Sequence, residues 1–420
     1  MHIATHLDID VVAVEGPEHV SLLLDLTAPT LHRDQGRAPS TLVVVLDRSG
    51  SMGGERLAGA KHSLMCLVDR LDPSDLFGLV TFDDEVQVVV ATAPLHDKAN
   101  VKARIAEVYA GGSTDLSAGY LRGLQEAQRV AGPAGATLLL ISDGHANAGV
   151  TDPDRLGPVA ANAHAAGVTT STVGFGLGYD ETLLGALARA GAGNELFAET
   201  ADEAVAAVAA EVDGLLSQCA QAASLLIRMT PACRGVRLVN DIPAVMTADG
   251  LLIELGSFWS GEQRKLVLTF DIPGISALGL AEVAALDLTW VELPALVQHS
   301  VSVPVCVNVV PGDQVAARVA DVRVLAALAF QESQLAKKRA TGHMTRGESG
   351  LALSELRHAR EIVVAASSVH PFDSALAAEV DMITGLMHET EFGDINRAAK
   401  VSSADFSSKT RRSGRPKPTS

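Results

Sequence analysis

The spacing of apolar residues changes character three times along this chain. Over residues 2–27, apolar and polar positions alternate in two runs, HLDIDVVAV and HVSLLLDL, with EGPE between them. Alternation half-buries a strand, and a Gly-Pro pair between two such runs is turn chemistry, so a hairpin is expected. Residues 28–40 (APTLHRDQGRAPS) are polar and rich in turn formers. The expectation for 1–40 is a hairpin that joins a later sandwich, followed by a linker.

From residue 41 the strands become almost continuously apolar and alternate with segments of helical period. TLVVVLD, DLFGLVTFD, VQVVV, ATLLLIS, VTTSTVGFG and ELFAE read as strands, and the stretches near 55–70, 98–109, 116–131, 153–166, 180–190 and 201–218 as helices. Thr200 and Glu203 have the capping-box spacing at the start of the last helix. Strands apolar on both faces must be covered on both faces. The prediction for 41–218 is therefore an α/β domain with a doubly wound, mostly parallel sheet. Only the short DEV at 84–86 separates two of the runs. That pair should form a hairpin ending in an antiparallel edge strand.

After residue 222 the helices disappear. SLLIRMTP, GVRLVND, LLIELGSF, RKLVLTFDIP, LDLTWVEL and HSVSVPVCVNVV follow one another with short polar breaks, the pattern of a β-sandwich over 219–310. Residues 311–395 return to helical spacing, which fits core burial. The ending KTRRSGRPKPTS is basic and lacks apolar anchors, so 396–420 is expected to be a disordered basic tail.

Composition narrows the function. The 420 residues are 47% hydrophobic and 20% charged, as in a globular protein. With 33 basic and 50 acidic residues the formal charge is -17, which argues against general nucleic-acid binding; only the basic tail has the charge for it. Cys66, Cys219, Cys233 and Cys306 are scattered without a CxxC pair and are expected to be reduced. The start, MHIATHLDIDVV, lacks a basic segment followed by a long apolar one, so no signal peptide is expected, and no apolar run approaches the ~20 residues of a membrane span. A cytoplasmic protein is expected.

The candidate chemistry lies where the first apolar strand stops. In LVVVLDRSGSMGGERL (42–57), the strand ends on Asp47, and Ser49, Gly50, Ser51, Gly53 and Gly54 follow at once. Two more stretches end at the same edge of the expected sheet. GGSTDLSAGYLRGL (111–124) places Thr114 and Asp115 on a glycine-led loop, and LLLISDGHANAG (138–149) places Asp143 and Gly144 after an apolar strand. In open parallel sheets, ligands bind beyond the carboxyl ends of the strands. Hydroxyls and carboxylates there are hard donors, suited to Mg²⁺ or Ca²⁺. Each piece alone has an ordinary use: Ser and Gly start helices, and Asp-Gly makes turns. Asp115 reads as a helix-start acid, His145 as an exposed loop residue, and Asp83 and Asp84 as hairpin-turn acids. GFGLGYD (174–180) reads as a flexible strand end near the rim.

With its D-x-S-x-S strand end, later Thr and third-loop Asp, the stretch 41–218 resembles the von Willebrand factor A domain superfamily, whose fold also occurs in integrin inserted domains. The resemblance implies a metal-ion-dependent adhesion site built from Asp47, Ser49, Ser51, Thr114 and Asp143. It implies a bound Mg²⁺ (or Mn²⁺ or Ca²⁺), an open coordination position, and a protein partner that supplies an Asp or Glu. The flanking strands and helices look like those of bacterial proteins with this domain. Two other readings suit the same residues: a Mg²⁺-dependent phosphohydrolase using Asp47 as nucleophile, or a scaffold whose metal is purely structural. The first normally needs an acid two residues after the nucleophile, where this chain has Ser49. Walker-type G-x-x-x-x-G-K-[ST], H-E-x-x-H and G-x-S-x-G patterns are absent.

Overall fold

The alternating residues at the start of the chain do form strands, but the strands separate into two sheets. In a computed structural model that describes residues 1–30, 37, 39–132, 135–144, 146–371 and 373–411, β1 (His2–Leu7) pairs antiparallel with β3 (Glu18–Thr27). Between them, β2 (Val11–Ala13) pairs parallel with the last strand of the chain, β16 (Val297–Val310). The expected single hairpin is thus corrected. Asp8 turns the chain away: its Oδ1 accepts hydrogen bonds from the backbone N–H of Ile9 and of Ser21, both at 2.8 Å. Most of the linker expected at 28–40 lies outside the described residues.

The chain divides into two compact units. One comprises residues 32–218 with 293–296, and the other the remainder. In the first, six strands follow in chain order: β4 (Thr41–Asp47), β5 (Leu76–Phe82), β6 (Val86–Pro94), β7 (Ala136–Ser142), β8 (Val168–Phe175) and β9 (Ala192–Ala198). They lie side by side as β6-β5-β4-β7-β8-β9. All pairs are parallel except β5–β6, the hairpin expected from the short DEV break. Six helices intervene: α1 (Glu55–Arg70), α2 (Lys98–Ala106), α3 (Leu116–Val130), α4 (Pro153–Ala165), α5 (Glu181–Ala190) and α6 (Ala201–Leu216). The period of two in β4 explains its unbroken apolar run. Leu42, Val44 and Leu46 pack on one face with residues of α1 and α6, while Val43 and Val45 pack on the other with residues of α3, α4 and α5. This is the expected doubly wound α/β fold. The capping box at α6 forms as expected, with Glu203 N–H donating to Thr200 Oγ1 at 3.3 Å.

The order of the strands fixes where a ligand can sit. From β4 the chain winds outward through β5 and β6, then returns to lay β7 on the other side of β4. The winding reverses between β4 and β7. A doubly wound sheet opens its crevice at the carboxyl ends of such a strand pair.

The other unit adds β10 (Gln218–Met229), β11 (Gly235–Leu238), β12 (Ala244–Met246), β13 (Leu251–Trp259), β14 (Gln263–Ile272) and β15 (Gly279–Glu292). A four-stranded sheet β1-β3-β14-β11 and a six-stranded sheet β12-β13-β10-β15-β16-β2 share one apolar core, in which Leu22, Leu24 and Phe270 of the first meet Leu225, Ile253 and Leu286 of the second. Four helices follow: α7 (Val322–Thr345), α8 (Ser349–Val369), α9 (Ser374–Phe392) and α10 (Ile395–Arg411). Val324 of α7 packs on Leu23, Val239 and Val267, and the four helices share a core of their own. Here the structure corrects the expected tail from 396: residues up to Arg411 are helical. Ala398, Ala399, Ser402 and Phe406 of α10 are buried, so small residues and one aromatic supply the anchorage that the sequence pattern concealed. The rest of the tail lies outside the described residues. No helix among the described residues is long and apolar enough to cross a membrane.

Candidate metal centre

Asp47 is the last residue of β4 and is fully buried. Both of its carboxylate oxygens are held: Oδ1 accepts the Ser49 backbone N–H at 2.8 Å, and Oδ2 accepts the Ser142 hydroxyl at 2.6 Å. Burial pushes this carboxyl above its ordinary pKa. The hydrogen bonds from Ser142 and Ser49 pull it part of the way back, and the nearby Asp143 carboxylate opposes them.

The glycine-rich turn after β4 brings its hydroxyls round to the same point. Ser49 Oγ and Ser51 Oγ are 3.1 Å apart, and Ser51 Oγ donates to Asp143 Oδ1 at 2.8 Å. Ser49 is buried and Ser51 exposed, so the pair runs from the floor of the crevice to its mouth. Asp143 follows directly on β7 and is buried. Thr114 precedes α3 and faces the same space: a methyl group added at Gly144 would lie 3.3 Å from Ser51 Oγ and 3.8 Å from Thr114 Oγ1. Three loops at the carboxyl edge of the sheet thus bring all five expected residues together, around the reversal between β4 and β7.

Several supporting residues were not singled out from the sequence. Ser142 read only as the end of a strand. Asn147 fixes the Thr114 loop, its Oδ1 accepting Thr114 N–H at 2.8 Å, while Asn147 N–H and Ala148 N–H donate to the Thr114 carbonyl at 3.1 and 3.2 Å. Asp83, read as a turn acid, is buried and pairs with Arg48 at 3.2 Å; its carbonyl also accepts Asp115 N–H at 2.9 Å. Asp115 is the N-cap of α3, accepting Ala118 N–H at 2.9 Å. GFGLGYD ends β8 near the rim of the site, as expected, and Gly174 and Gly178 sit at close approaches. A side chain at Gly174 would start 2.4 Å from the buried Tyr179 ring, and one at Gly178 would start 2.8 Å from the Asp143 carbonyl oxygen. Its glycines exist for close approach. His145 lies outside the described residues. Arg56, on the first turn of α1, donates from Nη1 to Asp143 Oδ2 at 2.6 Å.

The donor chemistry fits a hard divalent cation. The set is two carboxylates and three hydroxyls, all oxygen. Among the described residues, no group of three or more His, Cys, Asp or Glu side chains is placed to hold a metal ion. A site here therefore depends on its hydroxyls. The Thr114 hydroxyl has no hydrogen-bond partner among the described residues, and two carboxylates buried close together need positive charge to balance them.

A mostly parallel sheet that gathers acids and hydroxyls at its reversal point, with helices on both faces, defines a class of α/β domain. Residues 41–210 match the family model of the von Willebrand factor type A domain, and this unit has that fold. Among curated relatives, the protein sll0103 of Synechocystis is 27% identical over 289 residues, 62% of this chain and 67% of that one. YfbK of Escherichia coli is 32% identical over 196 residues, 46% of this chain and 34% of its own length, so this chain spans only part of each relative. Among solved structures, the ArnB paralog VWA2 from Sulfolobus acidocaldarius aligns with a TM-score of 0.69 over 98% of both chains at 14% identity, a likeness of fold.

Proposed function

We propose that this protein is a divalent-cation-dependent protein-binding module. Asp47, Ser49, Ser51, Thr114 and Asp143 hold the cation, with Mg²⁺ favoured over Mn²⁺ or Ca²⁺ by the compact hydroxyl-rich set. The supporting observation is the convergence of three hydroxyls and two buried carboxylates from three separate loops at the sheet's reversal point. Domains of the family are often metal-dependent interaction modules. Bound here, the ion supplies an electrophilic coordination position for an Asp or Glu of a partner protein. With mostly neutral ligands, the chain leaves much of the cation's charge unbalanced and so favours an external anion. Ser142 and the Ser49 amide tie down both Asp47 oxygens, which suits an anchor better than a nucleophile.

Calorimetry tests the cation: the folded chain should take up Mg²⁺ or Mn²⁺, and Asp47→Ala should not. A partner retained on the immobilised chain should be released by EDTA. Failure to take up either ion overturns the proposal. Retention unaffected by both EDTA and Asp47→Ala would leave the ion a structural role only.

A further inference from the structure

We propose that Arg56 is a second anion-binding group of this site, so that a partner's carboxylate is held by two groups at once. The inference rests on the cation reading above. Arg56 lies on the first turn of α1, directly after the loop that carries Ser49 and Ser51. One nitrogen, Nη1, donates both to Asp143 Oδ2 at 2.6 Å and to the Ser51 carbonyl at 3.3 Å. These bonds tether the guanidinium to the rim and leave Nε–H and the two Nη2–H groups with no hydrogen-bond partner among the described residues. The side chain is 42% exposed, whereas that of Asp143 is fully buried. The group rests against Gly176 (φ +72°), where an added Cβ would lie 3.4 Å from Cζ, Nε and Nη2. A side chain at 176 would press on the fork.

A half-used arginine fixed beside a cation site matches one ligand class. A carboxylate has two coplanar oxygens, and the guanidinium fork is shaped to receive such a group. With one oxygen directed to the ion, the other falls to the unused donors of Arg56. The charges agree. Asp47, Asp143 and a divalent ion sum to neutrality, and Arg56 makes the site a monocation, matched to one carboxylate. The same positive charge repels the ion. Arg56 therefore weakens cation uptake while strengthening carboxylate capture, and removing it should move the two affinities in opposite directions.

The experiment titrates Mn²⁺ calorimetrically into the full chain, Arg56→Gln and Arg56→Lys. It then titrates acetate into each Mn²⁺-loaded protein, reading the water-proton relaxation rate as bound water is displaced. Arg56→Gln should bind Mn²⁺ a few-fold more tightly and acetate roughly tenfold more weakly, the loss of about one charge-assisted hydrogen bond. Arg56→Lys should keep the wild-type Mn²⁺ affinity and recover only part of the acetate affinity. Unchanged acetate affinity in Arg56→Gln, or a parallel fall of both affinities, overturns the role of Arg56 while the cation site stands. No Mn²⁺ uptake by the wild-type chain overturns the cation reading and this inference with it.

Discussion

Two parts of this molecule bury charge, and they do so in opposite ways. In the helical region, Lys337 and Glu379 are fully buried and 2.7 Å apart. Lys337 also pairs with Asp405, and Lys409 pairs with Glu379 at 2.7 Å and Asp405 at 2.8 Å. Two cations face two anions, and the cluster is closed. At the sheet edge, Asp47 and Asp143 are buried side by side with one arginine reaching in from an exposed position. The first arrangement is complete in itself, as a structural network must be. The second is short of positive charge and open to solvent, as a binding site should be. The ratio of opposite charges inside a buried cluster thus separates scaffold from site more sharply than burial alone.

Removing one carboxylate tests the distinction most directly. Asp47→Ala should weaken Mg²⁺ uptake by at least about 100-fold, since it deletes a ligand outright. The metal-free melting temperature should change little, because the repulsion relieved at Asp143 is offset by the Ser49 N–H and Ser142 hydroxyl that lose their acceptor. In the helical cluster the effect falls on stability instead. Lys337→Met should lower the unfolding free energy by about 3–5 kcal/mol by leaving two largely buried acids, Glu379 and Asp405, to Lys409 alone, and adding Glu379→Leu should restore much of it, as measured by denaturant titration.

Acidity offers a gentler probe of the closed cluster. Burial alone would raise the Glu379 pKa, but Lys337 and Lys409 together hold it below its ordinary value. Folding therefore binds this proton less tightly than the unfolded chain does. The stability that Glu379 contributes is fully present above the unfolded carboxyl's pKa and is lost as the pH falls through the lowered value. Denaturation midpoints followed downward in pH should show this decline in the wild type and lack it in Glu379→Leu. The smallest expected effect is at Ser142. Ser142→Ala, which removes the donor to Asp47 Oδ2, should weaken Mg²⁺ binding by roughly tenfold without unfolding the domain.

The α/β unit was legible because its strands are apolar on both faces, a pattern that only a sheet covered on both sides explains. The five candidate ligands were legible because each occupies a strand end or loop where a purely structural residue would seldom carry oxygen. The supporting groups were less visible. Ser142 and Asn147 act through contacts between loops far apart in sequence, and Arg56 resembles any polar residue on a helix. Asp83 does serve the hairpin turn, its Oδ1 accepting Glu85 N–H at 2.8 Å, but nothing local announces that Arg48 will bury beside it. Helix α10 was missed for the reason that makes its cluster closed: its buried side includes Ser402 and charged groups whose partners lie on α7 and α9. Hydrophobic periodicity cannot register an interface of that kind. The strands β2 and β12, three residues each, are too short to leave a periodic signal.

The pairing of β3 with β14 gives synthesis a timetable. Glu18–Thr27 is synthesised before its hydrogen-bonding neighbour Gln263–Ile272, which emerges only after the entire intervening domain has passed. Throughout that interval the ten-residue strand, rich in leucine, has one long edge without its mate. β14 is thus the strand that closes this sheet, joining the early pair β1–β3 to β11, and β3 waits longest for its second neighbour.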